Sequence, residues 1–332
     1  MRRLAAIAFA ALALGACERR AEEPQGPAPR PEPVVVYASF EDESYLPALF
    51  AGFTRETGIP VTVRHRPEHQ IVGEVIANKG SPPADLLLTR SVHGIWRAAD
   101  DGALRPLQST EIGNVVPAWL RDPDGYWTAI GFGSIDVVCS ADQQADCAAV
   151  EAYEDLGKPE FESRLCLSAP TLAVNRSLVA GLIADHGVRP AELIVRSWTA
   201  NLALPTFDSE AALLQAVEAG TCRVGVVSSL AFHAFNRPTV AATWPRPSYF
   251  DVFAVGVNRH ARSPEAARRL AEWLAGPLAQ AAQFDGIGLF PVNPSVPAGV
   301  LGFMLPNERI VAAVVGFHDA DALELAERAH WH

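Results

Sequence analysis

The sequence predicts an α/β fold in which helices cover both faces of a doubly wound sheet. Two observations carry this prediction. Apolar runs of strand length alternate with amphipathic stretches of helix length, and Gly or Pro marks most of the changes. The chain has 332 residues, of which 49% are hydrophobic and 20% charged. This length suits about two domains of roughly 150 residues each, and the composition argues against extended disorder.

The elements follow one another in the order that a doubly wound sheet requires. The predicted strands cover residues 34–37, 59–63, 84–89, 129–140, 223–227 and 252–257. The predicted helices cover residues 45–57, 70–79, 178–186, 210–220, 264–275 and 310–332. The apolar runs VVVY and LLL indicate buried strands, while Gly58 and the segment GSPP at 80–83 end the first two helices. The β-α-β-α-β order of the first five elements predicts parallel strands.

The N-terminus predicts export and lipid anchoring. Arg2 and Arg3 precede an apolar run at residues 4–14 that is too short to span a bilayer. The run ends in LGAC, which resembles a bacterial lipobox. We therefore expect residues 1–16 to be a signal peptide and Cys17 to carry lipid in the periplasm, on the inner or outer membrane of a Gram-negative bacterium. An ordinary secretory signal with an accidental Cys is the alternative.

Residues 17–33 predict a tether between the lipidated Cys and the folded part. The segment from 18 to 33 contains five prolines and alternating charges, so it cannot form a core. A Pro-rich chain of this kind is a semi-rigid spacer of about 3.1 Å per residue.

Cysteine usage agrees with an oxidising compartment, and charge excludes one class of partner. Apart from Cys17, four cysteines remain, an even number that predicts disulfides with three possible connectivities. No two of them have the CxxC spacing of a zinc site. The formal net charge is −11 and no basic stripe occurs, so we expect no nucleic-acid partner.

Several segments resemble the periplasmic ferric-ion-binding (class II) solute-binding proteins of ABC importers. They are VVVYASFEDESYLPALFAGFTRETGIPV, SPPADLLLTRSVHGIWRAADDGALRPL, VPAWLRDPDGYWTAIGFGSIDVVCS, AVEAGTCRVGVV and FPVNPSVP, in the order of that family. The resemblance covers residues 34–332. It implies the type II periplasmic-binding-protein fold, in which two hinge-linked lobes, each a doubly wound mixed sheet, hold the ligand between them.

The resemblance also implies boundaries and disulfides. Lobe 1 is expected to comprise residues 34–130 plus 250–292, and lobe 2 residues 131–249 plus 293–332. One branch of the family links the positions that match Cys166 and Cys222, which leaves Cys139 and Cys147 to each other.

The chain departs from the family at the positions that hold iron. The adjacent tyrosines of the family are matched by Leu230 and Ala231, and a further tyrosine by Val174. Glu41 stands where the family often has His, and Arg90 where an acidic ligand is frequent. Because Leu, Ala and Val cannot coordinate a metal and Arg90 repels a cation, these substitutions predict the loss of the protein's iron ligands.

An organic, partly apolar and even lipid-like ligand is the expectation that follows from this loss. The candidate ligand-binding residues are Phe40, Glu41, Arg90, Thr171, Val174, Asn175, Ser228, Ser229, Leu230, Ala231 and Phe232. For several of them a structural role is the alternative: core packing for Phe40 and Phe232, a surface salt bridge for Arg90, a cap or turn for Thr171, and a solvated loop for Glu41.

Three functions remain in competition. The main prediction is a monomeric solute-binding protein that delivers a small organic molecule to an inner-membrane transporter, either an ABC permease or another type. The first alternative is a binding protein for ferric iron or an iron chelate of an ABC importer. The second is a lipoprotein that senses or scaffolds. No GxSxG, HExxH, Walker or GxGxxG motif occurs, so we expect no enzyme, catalytic residue, cofactor or protein-bound metal.

Overall fold

A computed structural model describes residues 31–39, 46–77, 84–284, 289–297 and 310–332, which contain nine strands and thirteen α-helices. The strands are β1 Val34–Ala38, β2 Val61–His65, β3 Leu86–Thr89, β4 Leu104–Arg105, β5 Trp127–Ser140, β6 Leu165–Cys166, β7 Val224–Ser228, β8 Val240–Thr243 and β9 Phe250–Asn258. The signal peptide, Cys17, most of the tether, Phe40 and Glu41 lie outside the described residues.

Nine of the described helices lie in connections between strands, and the last four follow the last strand. They are α1 Leu46–Thr57, α2 Glu68–Ala77, α3 Val92–Asp100, α4 Thr110–Val115, α5 Gln144–Ala148, α6 Ala173–His186, α7 Val188–Ala200, α8 Glu210–Glu218, α9 Ser229–Phe235, α10 Pro264–Ala275, α11 Pro277–Phe284, α12 Ala312–Phe317 and α13 Asp319–Arg328. Within the described residues, no helix is long and apolar enough to cross a bilayer.

The strands form a mixed sheet in the order β2-β1-β3-β9-β5-β7-β6, with β4 beside β9 and β8 beside β5. Strand β1 is parallel to β2 and β3, and β6 is parallel to β7, whereas β5 and β9 are antiparallel to their neighbours. The long strand β5 pairs with β9 up to Ser134 and with β7 from Ile135 onward. The sheet therefore has two halves, and β5 changes neighbours where they meet.

A buried carboxylate connects the start of β3 to the helix that follows β9. Asp85 is 3% exposed; its Oδ2 accepts a hydrogen bond from the N–H of Val35, and its Oδ1 accepts from those of Arg262 and Ser263. The N–H groups of Arg262 and Ser263 come directly before α10, while Val35 belongs to β1. Asp85, from the segment SPPAD, therefore has a structural role.

Both expected disulfides are present in the half of the sheet that contains β6 and β7. Cys139 on β5 is bonded to Cys147 on α5, and Cys166 on β6 to Cys222, which precedes β7. The second disulfide lies in a small core with Val138, Leu213, Leu214, Val217, Val227 and Val240, separate from the main core. It joins residues that are 56 positions apart in sequence.

The α/β fold class predicted from the sequence is confirmed, but some boundaries were wrong. The predicted helix at 310–332 is two helices, α12 and α13, because His318 between them has a non-helical conformation and Asp319 is held by contacts to other helices. Helix α6 begins at Ala173, five residues before its predicted start.

Candidate functional site

A cavity of about 160 Å³ lies where β5 passes from one half of the sheet to the other. Gly133, Ser134 and Ile135 of β5 line it beside the ends of β3 and β7 and the start of α6. The apolar part of the lining consists of Ile135, Leu172, Ala173, Val174, Leu230, Phe253 and Leu289. A site at this crossover agrees with the rule that ligands of open α/β sheets bind at topological switch points.

Arg90 provides a positive charge in this cavity. Its backbone N–H lies against two acceptors, the Oγ of Ser39 at 2.8 Å and the Oε2 of Glu68 at 3.1 Å. Glu68 also accepts hydrogen bonds from the backbone N–H and the Oγ of Ser91. Within the described residues the Arg90 guanidinium forms no ion pair with a carboxylate. The segment that carries Arg90 is therefore fixed, while its charge remains available to a ligand.

Asp251 on β9 provides a negative charge on the same side of the cavity. Its Oδ1 accepts hydrogen bonds from the N–H of Val92, the first residue of α3, and from the N–H of Val252. The residue as a whole is partly exposed, but burial of the carboxyl group raises its pKa to about 6, against the opposing effect of the nearby His93. This carboxylate is thus costly to keep ionised without a cation beside it.

Glu210 provides a second negative charge from the other half of the sheet. It is the first residue of α8, and its Oε1 accepts a hydrogen bond of 2.5 Å from the backbone N–H of Ser228 at the end of β7. Behind it, Asp136 on β5 is 1% exposed and accepts a hydrogen bond of 2.6 Å from the Oγ of Ser134. Burial, with a smaller contribution from Glu210, raises the pKa of Asp136 to about 7.

A polar cluster behind the cavity connects α3 with α6 and α13. His93 Nε2 lies 2.9 Å from the Oγ of Ser177, and its Nδ1 lies 3.0 Å from Asp319 Oδ1 without the alignment of a full hydrogen bond. Arg176 donates to both carboxylate oxygens of Asp319. Burial alone would raise the pKa of Asp319, but the contacts with His93 and Arg176 outweigh it and hold the pKa well below its usual range.

Four of the residues predicted from the sequence line the cavity: Arg90, Val174, Ser228 and Leu230. Ser229 is buried directly behind it, since a Cβ on Gly133 would come within 2.9 Å of the Ser229 Oγ.

The other predicted residues that the structure describes lie outside the lining of the cavity. Asn175 is fully buried and donates to the backbone oxygens of Ser168 and Ala169 and to the Ser168 side chain, so it fixes the chain before α6. Thr171 is exposed in the turn before α6. Ala231 and Phe232 pack against the small second core.

Sequence reasoning missed Glu210, Asp251 and Ser134. A signal for Asp251 and Asp136 was present, because each is a lone acid in an otherwise apolar strand, FDVFAVGVN and WTAIGFGSIDVVCS. Glu210 had no comparable signal, since an acidic residue in the first turn of a helix is usual.

No tyrosine or histidine lines the cavity within the described part of the chain, and no cluster of three or more His, Cys, Asp or Glu side chains there is arranged to hold a metal. The hydroxyls of Tyr37, Tyr153 and Tyr249 donate instead to Glu74, to the backbone oxygen of Ile135 and to Asp185, respectively. The Glu210 and Asp251 carboxylates in the lining are too few to fill a coordination sphere, so an iron ion in this cavity would need further ligands that it brings with it.

Comparisons with known proteins place the chain in a family. Residues 81–308 match the model of the bacterial extracellular solute-binding protein family. Among curated relatives, iron uptake protein A1 of Synechocystis sp. is 27% identical over 264 residues, which cover 75% of this chain and 73% of that protein. The Fe(3+)-binding periplasmic protein of Serratia marcescens is 24% identical over 194 residues, or 58% of this chain and 56% of that protein.

The fold is also similar to that of solved proteins. A Trichodesmium protein solved in complex with iron and citrate ligands is 26% identical and superimposes with a TM-score of 0.84, covering 90% of this chain and 99% of that one. The predicted resemblance to class II ferric-ion-binding-type proteins and the two-lobed periplasmic-binding-protein fold are confirmed.

The main prediction from the sequence, an organic, partly apolar or lipid-like cargo, is wrong. The relatives are proteins of iron uptake and iron binding. The cavity also gives a physical reason, because it contains three charged side chains and is smaller than the roughly 300–1,000 Å³ typical of pockets for drug-sized organic ligands. The loss of the tyrosines did not make the cleft a large apolar slot. The chain is a solute-binding protein rather than an enzyme, and it belongs to the bacterial extracellular solute-binding protein family.

Proposed function

We propose that this chain captures ferric iron in the periplasm as a complex with a chelating organic anion and delivers it to the permease of an ABC importer. The observation that carries the proposal is the mixed charge of the cavity: Arg90 faces the same space as Glu210 and Asp251, with no phenol or imidazole in the lining within the described residues. The two carboxylates alone are too few to fill the coordination sphere of a bare ferric ion, whereas a chelate brings further ligands of its own. The iron-related names of the relatives support the same cargo.

The start of α6 supports the anionic part of this cargo. The residue before the helix is Leu172, which provides no side-chain cap, and Leu172, Ala173 and Val174 all line the cavity. Backbone N–H groups in the first turn of a helix attract anions, and an Arg guanidinium binds a carboxylate with two parallel hydrogen bonds. Arg90 and α6 together would receive the carboxylates of the chelator.

Ferric citrate is the probe that tests this function. Calorimetric titration of the purified chain with ferric citrate is expected to show saturable binding of one complex per chain. We also expect no visible charge-transfer band of the kind that iron–phenolate bonds give, because no tyrosine within the described residues lines the cavity. Failure of the chain to bind ferric citrate would refute the proposal in this form, and a strong phenolate band would refute the absence of protein phenol ligands.

Anchoring, lobe boundaries and oligomeric state belong to the same proposal. We propose that Cys17 carries lipid, that residues 17–33 tether the domain, and that the chain acts as a monomer. Lobes of residues 34–130 plus 250–292 and 131–249 plus 293–332 would close on the cargo, since contacts to both exist only in the closed state. Cys17→Ser should move the exported protein from the membrane to the soluble fraction, and small-angle scattering should report closure when ferric citrate is added.

A further inference from the structure

We infer that Glu210 and Asp251 hold the cationic centre of the cargo from the two sides of the cleft, an inference that rests on the proposed function. Asp251 belongs to β9, beside the end of β3. Glu210 belongs to α8 and is bonded to the end of β7 in the other half of the sheet. Both side chains line the same cavity.

Each carboxylate is oriented by the backbone and retains an oxygen for a ligand. Asp251 accepts both of its backbone hydrogen bonds at Oδ1, and Glu210 accepts its hydrogen bond from the N–H of Ser228 at Oε1. Within the described residues, no hydrogen bond or ion pair involves Asp251 Oδ2 or Glu210 Oε2. A ligand that meets these oxygens finds them already positioned, so little side-chain freedom is lost on binding.

The positive charge of Arg90 and the negative charges of Glu210 and Asp251 match a cargo that has both anionic groups and a cationic centre. A hard cation prefers oxygen ligands, and the two free carboxylate oxygens can fill only part of its coordination sphere. The remaining positions would belong to the chelator, whose outer carboxylates face Arg90. Two negative charges that line one cavity repel each other and a free anion unless a cation lies between them, so the site favours a loaded chelate over the iron-free chelator.

In this arrangement the cation would also favour closure of the cleft. Because one carboxylate comes from each half of the sheet, an ion between them makes contacts with both halves. A ligand can shift a conformational equilibrium only through contacts that differ between the two states. The iron-loaded chelate would therefore favour the closed state more strongly than the chelator alone.

Isosteric amides test the inference with the whole purified chain. Glu210→Gln and Asp251→Asn each keep an oxygen that can accept from the same backbone N–H groups and remove only the charge. Glu265→Gln, in an exposed side chain on α10 that pairs with Arg268, is the matched control. Binding of ferric citrate and of iron-free citrate is measured by calorimetry for the wild type, these variants and Arg90→Gln, with melting temperatures recorded at the same pH.

We expect Glu210→Gln and Asp251→Asn to weaken ferric citrate binding at least tenfold each, while iron-free citrate binds at least as tightly as to the wild type, because each variant removes a negative charge that repels the citrate anion. Glu265→Gln should bind both probes like the wild type, and Arg90→Gln should weaken both. If Asp251→Asn lowers the melting temperature by disturbing the start of α3, Asp251→Ser, which retains an acceptor, takes its place.

Unchanged ferric citrate affinity in both amide variants would overturn the inference and leave the proposed function intact. An equal loss of ferric and iron-free citrate would also overturn it, because the carboxylates would then act on the chelator or on the fold. If the wild type binds no ferric citrate, the proposed function itself is refuted, and the inference is overturned with it.

Discussion

The buried side chain of Asp136 is expected to make the stability of the fold depend on pH. Its carboxyl group is buried on β5 and accepts a hydrogen bond from Ser134, and burial raises its pKa to about 7. In the unfolded chain the same group ionises near 3.8. Between these values the folded chain keeps a proton that the unfolded chain releases. Asp136→Asn removes the ionisation while keeping a side-chain oxygen for Ser134.

The sign follows from linkage between proton binding and folding. A raised folded pKa gives a contribution to stability that is fully present below about pH 4 and is lost as pH rises through about 7. Above neutral pH the buried charge costs up to about 4 kcal/mol, at about 1.4 kcal/mol for each pH unit of the interval. Asp136→Asn is therefore expected to be more stable than the wild type at pH 8 and close to it at pH 4.

Thermal unfolding, monitored by circular dichroism at several pH values from 4 to 8, measures this difference in stability. For a chain of this length we expect the melting temperature of Asp136→Asn to exceed that of the wild type by on the order of 5 °C at pH 8. Asp142→Asn, in an exposed side chain just after β5, is the control and should follow the wild type at every pH. Parallel curves for Asp136→Asn and the wild type would refute the assignment of a raised pKa to this carboxyl group.

Three further substitutions test the structural contacts around the site. Glu68→Ala should lower the free energy of unfolding by about 2–4 kcal/mol in chemical denaturation, because it leaves the buried N–H and hydroxyl of Ser91 without their acceptor. Asp319→Asn removes an ion pair with Arg176 and should lower the free energy of unfolding by about 1–2 kcal/mol at pH 7, allowing for the partial exposure of the pair. Because folding lowers the pKa of Asp319, this difference from the wild type should shrink as pH falls below about 4. Trp331→Ala, in a side chain that is 1% exposed, should cost about 3–5 kcal/mol, and a wild-type unfolding midpoint would contradict its place in the core.

Local elements were predictable because their signals are local. The helix from Pro264 to Ala275 has its predicted bounds, since Pro favours the first turn and Gly276 follows the last one. Helix α7 was not predicted, although Ala191, Val195 and Trp198 place buried side chains on one face at helical spacing.

The cavity was predictable only in part, because its charges come from segments that are distant in sequence. The resemblance to iron-binding proteins located Arg90, Val174 and Leu230, which do line it. It gave no reason to select Asp251 or Glu210, since both lie outside the family's positions considered for iron. The substituted tyrosines indicated an apolar slot, whereas the acidic side chains that restore polarity approach from β9 and α8.

Strand β5, which both halves of the sheet share, also determines how the molecule can be divided. Strand β5 pairs with β9 over residues 127–134 and with β7 over residues 135–139, so neither half of the sheet has a complete set of strands without it. A gene fragment for one half alone would expose a long edge of unpaired N–H and C=O groups, which is a template for aggregation. Exchanging binding halves between relatives, in the laboratory or by recombination, therefore requires β5 to remain intact in the hybrid.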